Sequence, residues 1–310
     1  MPPELVGAIL AAALERGLPR AFAAAVSRQG RTIALGTIGA ARPPAPSKLS
    51  DVSTAAQAAE LLRRWPEHRT RFRSQICRSA ARGGHLEVLR WARAVGPSEE
   101  AEPPGHWNAG TCAAAARGGH LDVLRWAREN GCPWDEWTCA NAARGGHLEV
   151  LRWAREEAEP PCPWKAATCA AAAGAGRLEV LRWALDRSCP CDADACGEAA
   201  SGGHLDVLQL ARARGCPWDA RTCAAAADAG HLEVLQWLRA NRCPWDERTC
   251  EWAAGGDNPR RGGASHLEVL QWARANGCPW NNATCYRAER AGKPGHLAAL
   301  RWARENGCPE

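Results

Sequence analysis

Lysine is scarce in this 310-residue chain: three stand against 36 arginines, and the formal net charge is only +5. So mild a balance lacks the dense single-sign patch of a nucleic-acid binder, and the arginine excess reads as compositional bias. Methionine and tyrosine occur once each and phenylalanine twice. The hydrophobic 46% is carried instead by alanine and the aliphatics, with 16 Trp and 16 Cys. No apolar run approaches the roughly 18 residues that mark a membrane-crossing helix. A secretory signal is not expected either. Glu4 stands where such a signal carries positive charge, and the apolar run from Leu5 to Leu14 meets Glu15 and Arg16 without a cleavage site. The chain is therefore expected in the reducing cytoplasm or nucleus. It has no P-loop, paired catalytic carboxylates or nucleophile elbow, so neither an enzyme nor a cofactor is expected.

What the chain does have is repetition. A segment of the form His-Leu-Glu-Val-Leu-Arg-Trp-Ala recurs from His85, His120, His147, Arg177, His204, His231, His266 and His296. The starts are 35, 27, 30, 27, 27, 35 and 30 residues apart, a base period of 27 with insertions of three or eight. A period of this size means stacked supersecondary units, none of which can bury its apolar face alone.

The unit running from Gly131 to Ala154 shows how each is built. Asp135, after Pro133-Trp134, is an N-cap for a first helix, with Thr138 as the alternative cap. Cys139, Ala142 and Ala143 give that helix a face of small residues, which lets neighbouring helices approach closely. Gly145-Gly146 stops it and turns the chain. Leu148, Val150, Leu151, Trp153 and Ala154 then form a second helix with a broad apolar side, and Glu149 and Arg152 face outward three residues apart. Helix–turn–helix units of this kind predict an all-α fold: an α-solenoid of about eight repeats over residues 51–310. Ser53 or Thr54 can cap a divergent helix ahead of them, stopped by Pro66.

Thr138-Cys139-Ala140-Asn141-Ala142-Ala143 and Gly146-His147-Leu148-Glu149-Val150-Leu151 resemble two conserved-pattern segments of the ankyrin repeat, and Asn130-Gly131-Cys132 sits where that family has x-Gly-Ala. The resemblance recurs eight times and covers roughly residues 70–310. It implies a protein-binding scaffold. From Gly131 to Thr138 there are only seven residues, too few for the family's β-hairpin finger, so a short-period variant without fingers is expected.

Residues 1–40 form a separate helical segment, and 41–50 a proline-rich linker around Pro43, Pro44 and Pro46. Pro3-Glu4-Leu5, Ile9-Leu10 and Val26-Ser27-Arg28 resemble a degenerate F-box, with Gln29-Gly30 where that family usually has an aromatic residue. This resemblance implies docking onto a ubiquitin-ligase adaptor. A plain helical cap over the first repeat is the alternative.

Six units carry cysteines seven apart, such as Cys132 and Cys139. Metal ligation and disulfides both fit this spacing poorly, and buried thiols acting as small hydrophobes fit it better. The repeated histidine sits just before a helix and is replaced once by Arg177, which favours local capping and packing over ligation. Two tryptophan ladders, with Leu210 and Cys191 as substitutes, read as inter-repeat core. Trp137 and Trp252 fall outside the ladders and read as exposed contacts.

Shared positions hold such a stack, and the varying ones face a partner. Two residues after the first-helix cysteine the units read Ser79, Ala114, Asn141, Ala171, Glu198, Ala225, Trp252 and Arg287. Before the turn they read Arg82, Arg117, Arg144, Gly174, Ser201, Asp228, Gly255 and Arg290. The first three units are basic on this edge and the middle ones neutral to acidic. Arg82, Arg117, Asn141, Arg144, Glu198, Asp228, Trp252 and Arg287 are therefore the candidate partner-binding residues. Two eight-residue insertions also interrupt the array, an acidic one within 97–108 and a basic one within 257–265. The expected function is a protein–protein interaction scaffold. A substrate-recruiting adaptor of a ubiquitin ligase and a metal- or redox-active cysteine array are the alternatives; neither a membrane nor a nucleic acid is an expected partner.

Overall fold

The computed structural model describes residues 53–64, 69–94, 107–256, 266–292 and 294–309. The chain divides into units 1–43 and 44–310. All described residues fall in the second, so the F-box-like segment and the linker lie outside them. Among the described residues there are 17 α-helices and no strand. Helix α1 (Ala55–Arg64) precedes eight helix pairs. These are α2 (Arg69–Gly83) with α3 (Leu86–Ala94), α4 (Ala109–Gly118) with α5 (Leu121–Glu129), and α6 (Glu136–Gly145) with α7 (Leu148–Arg152). Next come α8 (Ala166–Gly174) with α9 (Leu178–Asp186), α10 (Ala193–Gly202) with α11 (Leu205–Ala213), and α12 (Ala220–Asp228) with α13 (Leu232–Ala240). The last are α14 (Glu247–Gly255) with α15 (His266–Ala275) and α16 (Asn282–Ala291) with α17 (Pro294–Glu305). The second helix of the third pair ends in a π turn, Trp153–Glu157, where the three-residue insertion begins.

Each first helix packs most extensively on the first helix of the next pair. The sequence permits this because the touching face is small: Cys139, Ala142 and Ala143 of α6, and Cys169, Ala172 and Ala173 of α8, are all at most 1% exposed. Second helices insert Val and Leu into the same core, as Val150 and Leu151 do. The expected cap is Asp135, whose side chain accepts from the Trp137 N–H at 3.1 Å. Asp192, Asp219, Asp246, Asn108 and Asn281 cap their helices in the same way. Thr138 is not the cap; it is buried. Thr54 caps α1, accepting from the Gln57 N–H at 3.3 Å, while the Gln57 amide oxygen accepts from the Thr54 N–H at 3.2 Å.

The histidines are not local caps. His120, His147, His204 and His231 precede their second helices without a side-chain capping bond. Instead three of the rings reach back across the repeat boundary: His120 Nε2 lies 3.1 Å from the Arg82 carbonyl, His147 Nε2 3.1 Å from the Arg117 carbonyl and His296 Nε2 2.9 Å from the Gly256 carbonyl. Arg177 keeps the bridge with its own donor, Nε to the Arg144 carbonyl at 3.4 Å. The ring occupies space that the Gly-Gly turn leaves open.

Among the described residues the tryptophans are mostly half-buried rather than core, Trp183 being the buried one. The two ladders meet within six of the units. Trp134 lies 5.8 Å from Trp153, and five other units repeat the pair at 5.6–6.1 Å, mostly edge to face. An arginine from the preceding second helix stacks on the connector tryptophan, as Arg128 does over Trp134 at 4.3 Å and Arg212 over Trp218 at 3.9 Å. The same arginine donates to the carbonyl of the Cys-Pro cysteine, Arg128 Nη1 to Cys132 at 2.5 Å and Arg212 Nη1 to Cys216 at 2.9 Å. One arginine and two tryptophans thus lock successive pairs together.

The cysteines pair differently from their spacing in sequence. From the second pair onward, each first-helix thiol meets the cysteine that follows the second helix of its own unit. Cys112 Sγ lies 4.0 Å from the Cys132 carbonyl, and Cys132 Sγ 3.5 Å from the Asn108 carbonyl. Mutual contact and burial push the Cys112 thiol well above the usual thiol range. These side chains are small hydrophobes with a working S–H donor, and the donor is what alanine would lack. The fifth unit departs from this pattern. Cys191 and Cys216 are joined in a disulfide with Cα atoms 5.5 Å apart, whereas the spacing argued against disulfides and read Cys191 as a plain apolar substitute.

Two glycines test the histidine bridge. Gly119 has φ +78°, and a Cβ there would sit 2.4 Å from His147 Nδ1. Gly131 has φ +81° and open space around it. Gly131→Ala is expected to cost only the left-handed backbone strain, about 1–2 kcal/mol. Gly119→Ala adds the clash and is expected to cost about 3 kcal/mol or more. Urea unfolding of the two variants measures the difference.

Candidate functional site

The capping and packing just described fix which way each first helix faces. In α6 the buried side is Thr138, Cys139, Ala142 and Ala143, so Trp137, Asn141 and Arg144, at helical spacing, share the opposite side. Trp137 is 56% exposed. On α8 the corresponding positions are Ala167, Ala171 and Gly174, joined by Ala170, and none carries anything beyond a Cβ. On α10 they are Asp194, Gly197, Glu198 and Ser201.

These three faces enclose a groove of about 300 Å³. Trp137, Asn141 and Arg144 form one wall, the alanines of α8 the floor, and Asp192, Asp194 and Glu198 the other wall. Glu198 leans over the floor: a Cβ at Gly174 would lie 2.7 Å from its Oε2. The Gly at this position therefore makes room for Glu198. Asp194 is partly balanced by Arg221 at 3.7 Å. On the basic side, burial and the charges of Arg82 and Arg144 both lower the proton affinity of Arg117. The three arginines form a like-charged stripe leading into the groove.

The structure thus brings Asn141, Arg144 and Glu198 together and places Arg82 and Arg117 alongside. It does not bring in the other three candidates. Trp252 is half-buried, with the Arg287 guanidinium 3.5 Å above its ring, so these two engage each other farther along the array. Asp228 is half-buried between the two groups and lines neither wall. The variable slots alone missed Asp192 and Asp194. The position two before the first-helix cysteine (Trp137, Asp194, Arg221) lies one helical turn from the slot two after it, and that i, i+4 relation was the available signal. A second concavity, of about 410 Å³, lies beside Tyr286 and Arg304 and contains none of the sequence candidates. Among the described residues no cluster of three or more His, Cys, Asp or Glu could hold a metal. Nor is any described helix long and apolar enough to cross a membrane.

Residues 112–155, from the second first-helix cysteine to the end of the third pair, match the family model for ankyrin repeats in many copies. These two helix pairs are therefore similar to ankyrin repeats. The crystal structure of the human ASB11 ankyrin repeat domain is similar at 18% identity, over 68% of this chain and 96% of that one, with a TM-score of 0.38. No curated protein matches. Within the matched ankyrin segment the connector Cys132-Pro133-Trp134-Asp135 runs without a strand from one pair to the next, so the finger is missing, as its length implied.

The like-charged stripe has an electrostatic signature. Removing the middle charge with Arg117→Gln is expected to raise the urea midpoint at low ionic strength, and the gain should vanish in high salt. Unfolding at two salt concentrations checks this.

Proposed function

We propose that this protein is an interaction scaffold that binds a peptide segment of a protein partner along its first helices, centred on α6, α8 and α10. One observation carries the reading. Three of the positions that vary between repeats, Asn141, Arg144 and Glu198, line one groove there, with Arg144 on one wall, a floor of alanine and an acidic wall opposite. The floor lets a backbone approach closely. Exposed Trp137 offers the kind of large aromatic surface that anchors interfaces. The charges select a segment bearing carboxylates at one end, toward Arg117 and Arg144, and Lys or Arg at the other, toward Asp194 and Glu198.

Selection of displayed random peptides on the full-length protein tests this. Enriched peptides are expected to carry acidic and basic groups at opposite ends. Their affinity should fall about tenfold or more with Arg144→Glu or Glu198→Lys, a loss of about 1.4 kcal/mol. Arg152→Glu, on the exposed side of a second helix, should leave it unchanged. Enriched peptides that ignore Arg144 and Glu198 but respond to Arg152 would contradict the reading.

A further inference from the structure

One repeat boundary lacks the lock found at the others. At the equivalent positions between the fourth and fifth pairs, the stacking arginine is Leu185, the connector tryptophan is Cys191 and the second-helix tryptophan is Leu210. All three members are replaced at once. The same unit is the one in which Cys191 and Cys216 are bonded, tying the connector to the end of α11. The disulfide joins the parts of the unit that the tryptophan pair joins elsewhere.

We propose that Cys191 and Cys216 form a thiol–disulfide exchange site, opened and closed by a low-molecular-weight thiol and its disulfide. The inference stands apart from the peptide groove and does not need it. Cys191 is half-exposed, whereas Cys216 is 2% exposed, so an incoming thiolate reaches the Cys191 sulfur. Attack there forms a mixed disulfide at Cys191 and breaks the protein S–S bond, whose electron pair leaves on Cys216 Sγ and takes up a proton. Arg212, bonded to the Cys216 carbonyl, places a positive charge beside that leaving group. A second thiolate then attacks the outer sulfur of the mixed disulfide and releases Cys191. Two small thiols have become one small disulfide, and the protein disulfide has become two thiols.

The released Cys216 thiol has a ready place. Cys196 Sγ already lies 4.0 Å from the Cys216 carbonyl, the arrangement that Cys112 and Cys132 show with both thiols free. In six other units the cysteine equivalent to Cys216 directs its thiol at the carbonyl of its own first-helix cap residue, as Cys162 does toward Asp135 at 3.4 Å. For Cys216 that residue is Asp192. The fifth unit therefore has two built states: bonded to Cys191, or paired with Cys196 like its neighbours.

The test uses the full chain equilibrated with mixtures of reduced and oxidised glutathione, acid-quenched, denatured and alkylated, with the bond located by peptide fragmentation. At the oxidising end 14 of the 16 cysteines should alkylate, and all 16 after reduction. The bond should map to Cys191–Cys216. Half-exposed Cys191→Ser should leave all remaining thiols free without reductant, and Cys196→Ser should keep the bond. Reduction should lower the melting midpoint of the wild type by about 5 °C and leave that of Cys191→Ser unmoved. Full alkylation at the oxidising end, a bond mapping to Cys196–Cys216, or a wild-type midpoint indifferent to reduction would each overturn the proposal.

Discussion

The close approach of consecutive first helices is the constraint on which the rest of the structure depends. From α4 onward small side chains, chiefly Ala, Cys and Thr, fill the space between them, and where a side chain must fill a turn it is the histidine ring lying over the glycines of the preceding unit. This closeness buries carbonyls that water would otherwise solvate, and unpaired buried carbonyls are costly. The donors that reach across follow from it: histidine Nε2 to the end of the preceding first helix, arginine to the Cys-Pro carbonyl, thiol to the cap carbonyl. The conspicuous residues of each repeat answer that one requirement.

A stack whose contacts all run between neighbours is as strong as its junctions. Six units pair their tryptophans, and where both are missing a covalent bond stands in their place. That unit also supplies the acidic wall of the groove. The first helix bearing Asp194 and Glu198 begins just after Cys191, so the exchange site and the groove share α10 and its cap, Asp192. The floor of the groove is α8, the first helix immediately before this boundary. Bare small-residue faces on both sides of α8 allow tight stacking on one side and an open groove on the other.

The repeat period, the helix pairs and the small-residue face were legible because each recurs eight times. Asp135 as cap was legible from its short carboxylate ahead of the helix. The histidine bridge was not, because its acceptor is a backbone carbonyl about 30 residues away and carries no sequence label; only Arg177, a substitute that also donates, hinted at a hydrogen bond. The cysteine contacts were not legible from the seven-residue spacing, because the end of a second helix returns to its own first helix. The tryptophans were assigned to the core by hydrophobicity, yet their edges stay wet beneath stacked arginines. Of the site, Asn141, Arg144 and Glu198 could be found by comparing copies. Trp252 and Arg287 could not be separated from them without knowing that they cover each other.

The most direct measurement compares two alanines on α8. Ala172 is fully buried against the neighbouring first helices, and Ala170 lies on the floor of the groove. If close stacking governs the structure, Ala172→Leu should lower the unfolding free energy by about 2 kcal/mol or more. Ala170→Leu should change it by no more than about 0.5 kcal/mol. Equal effects of the two substitutions would contradict the account.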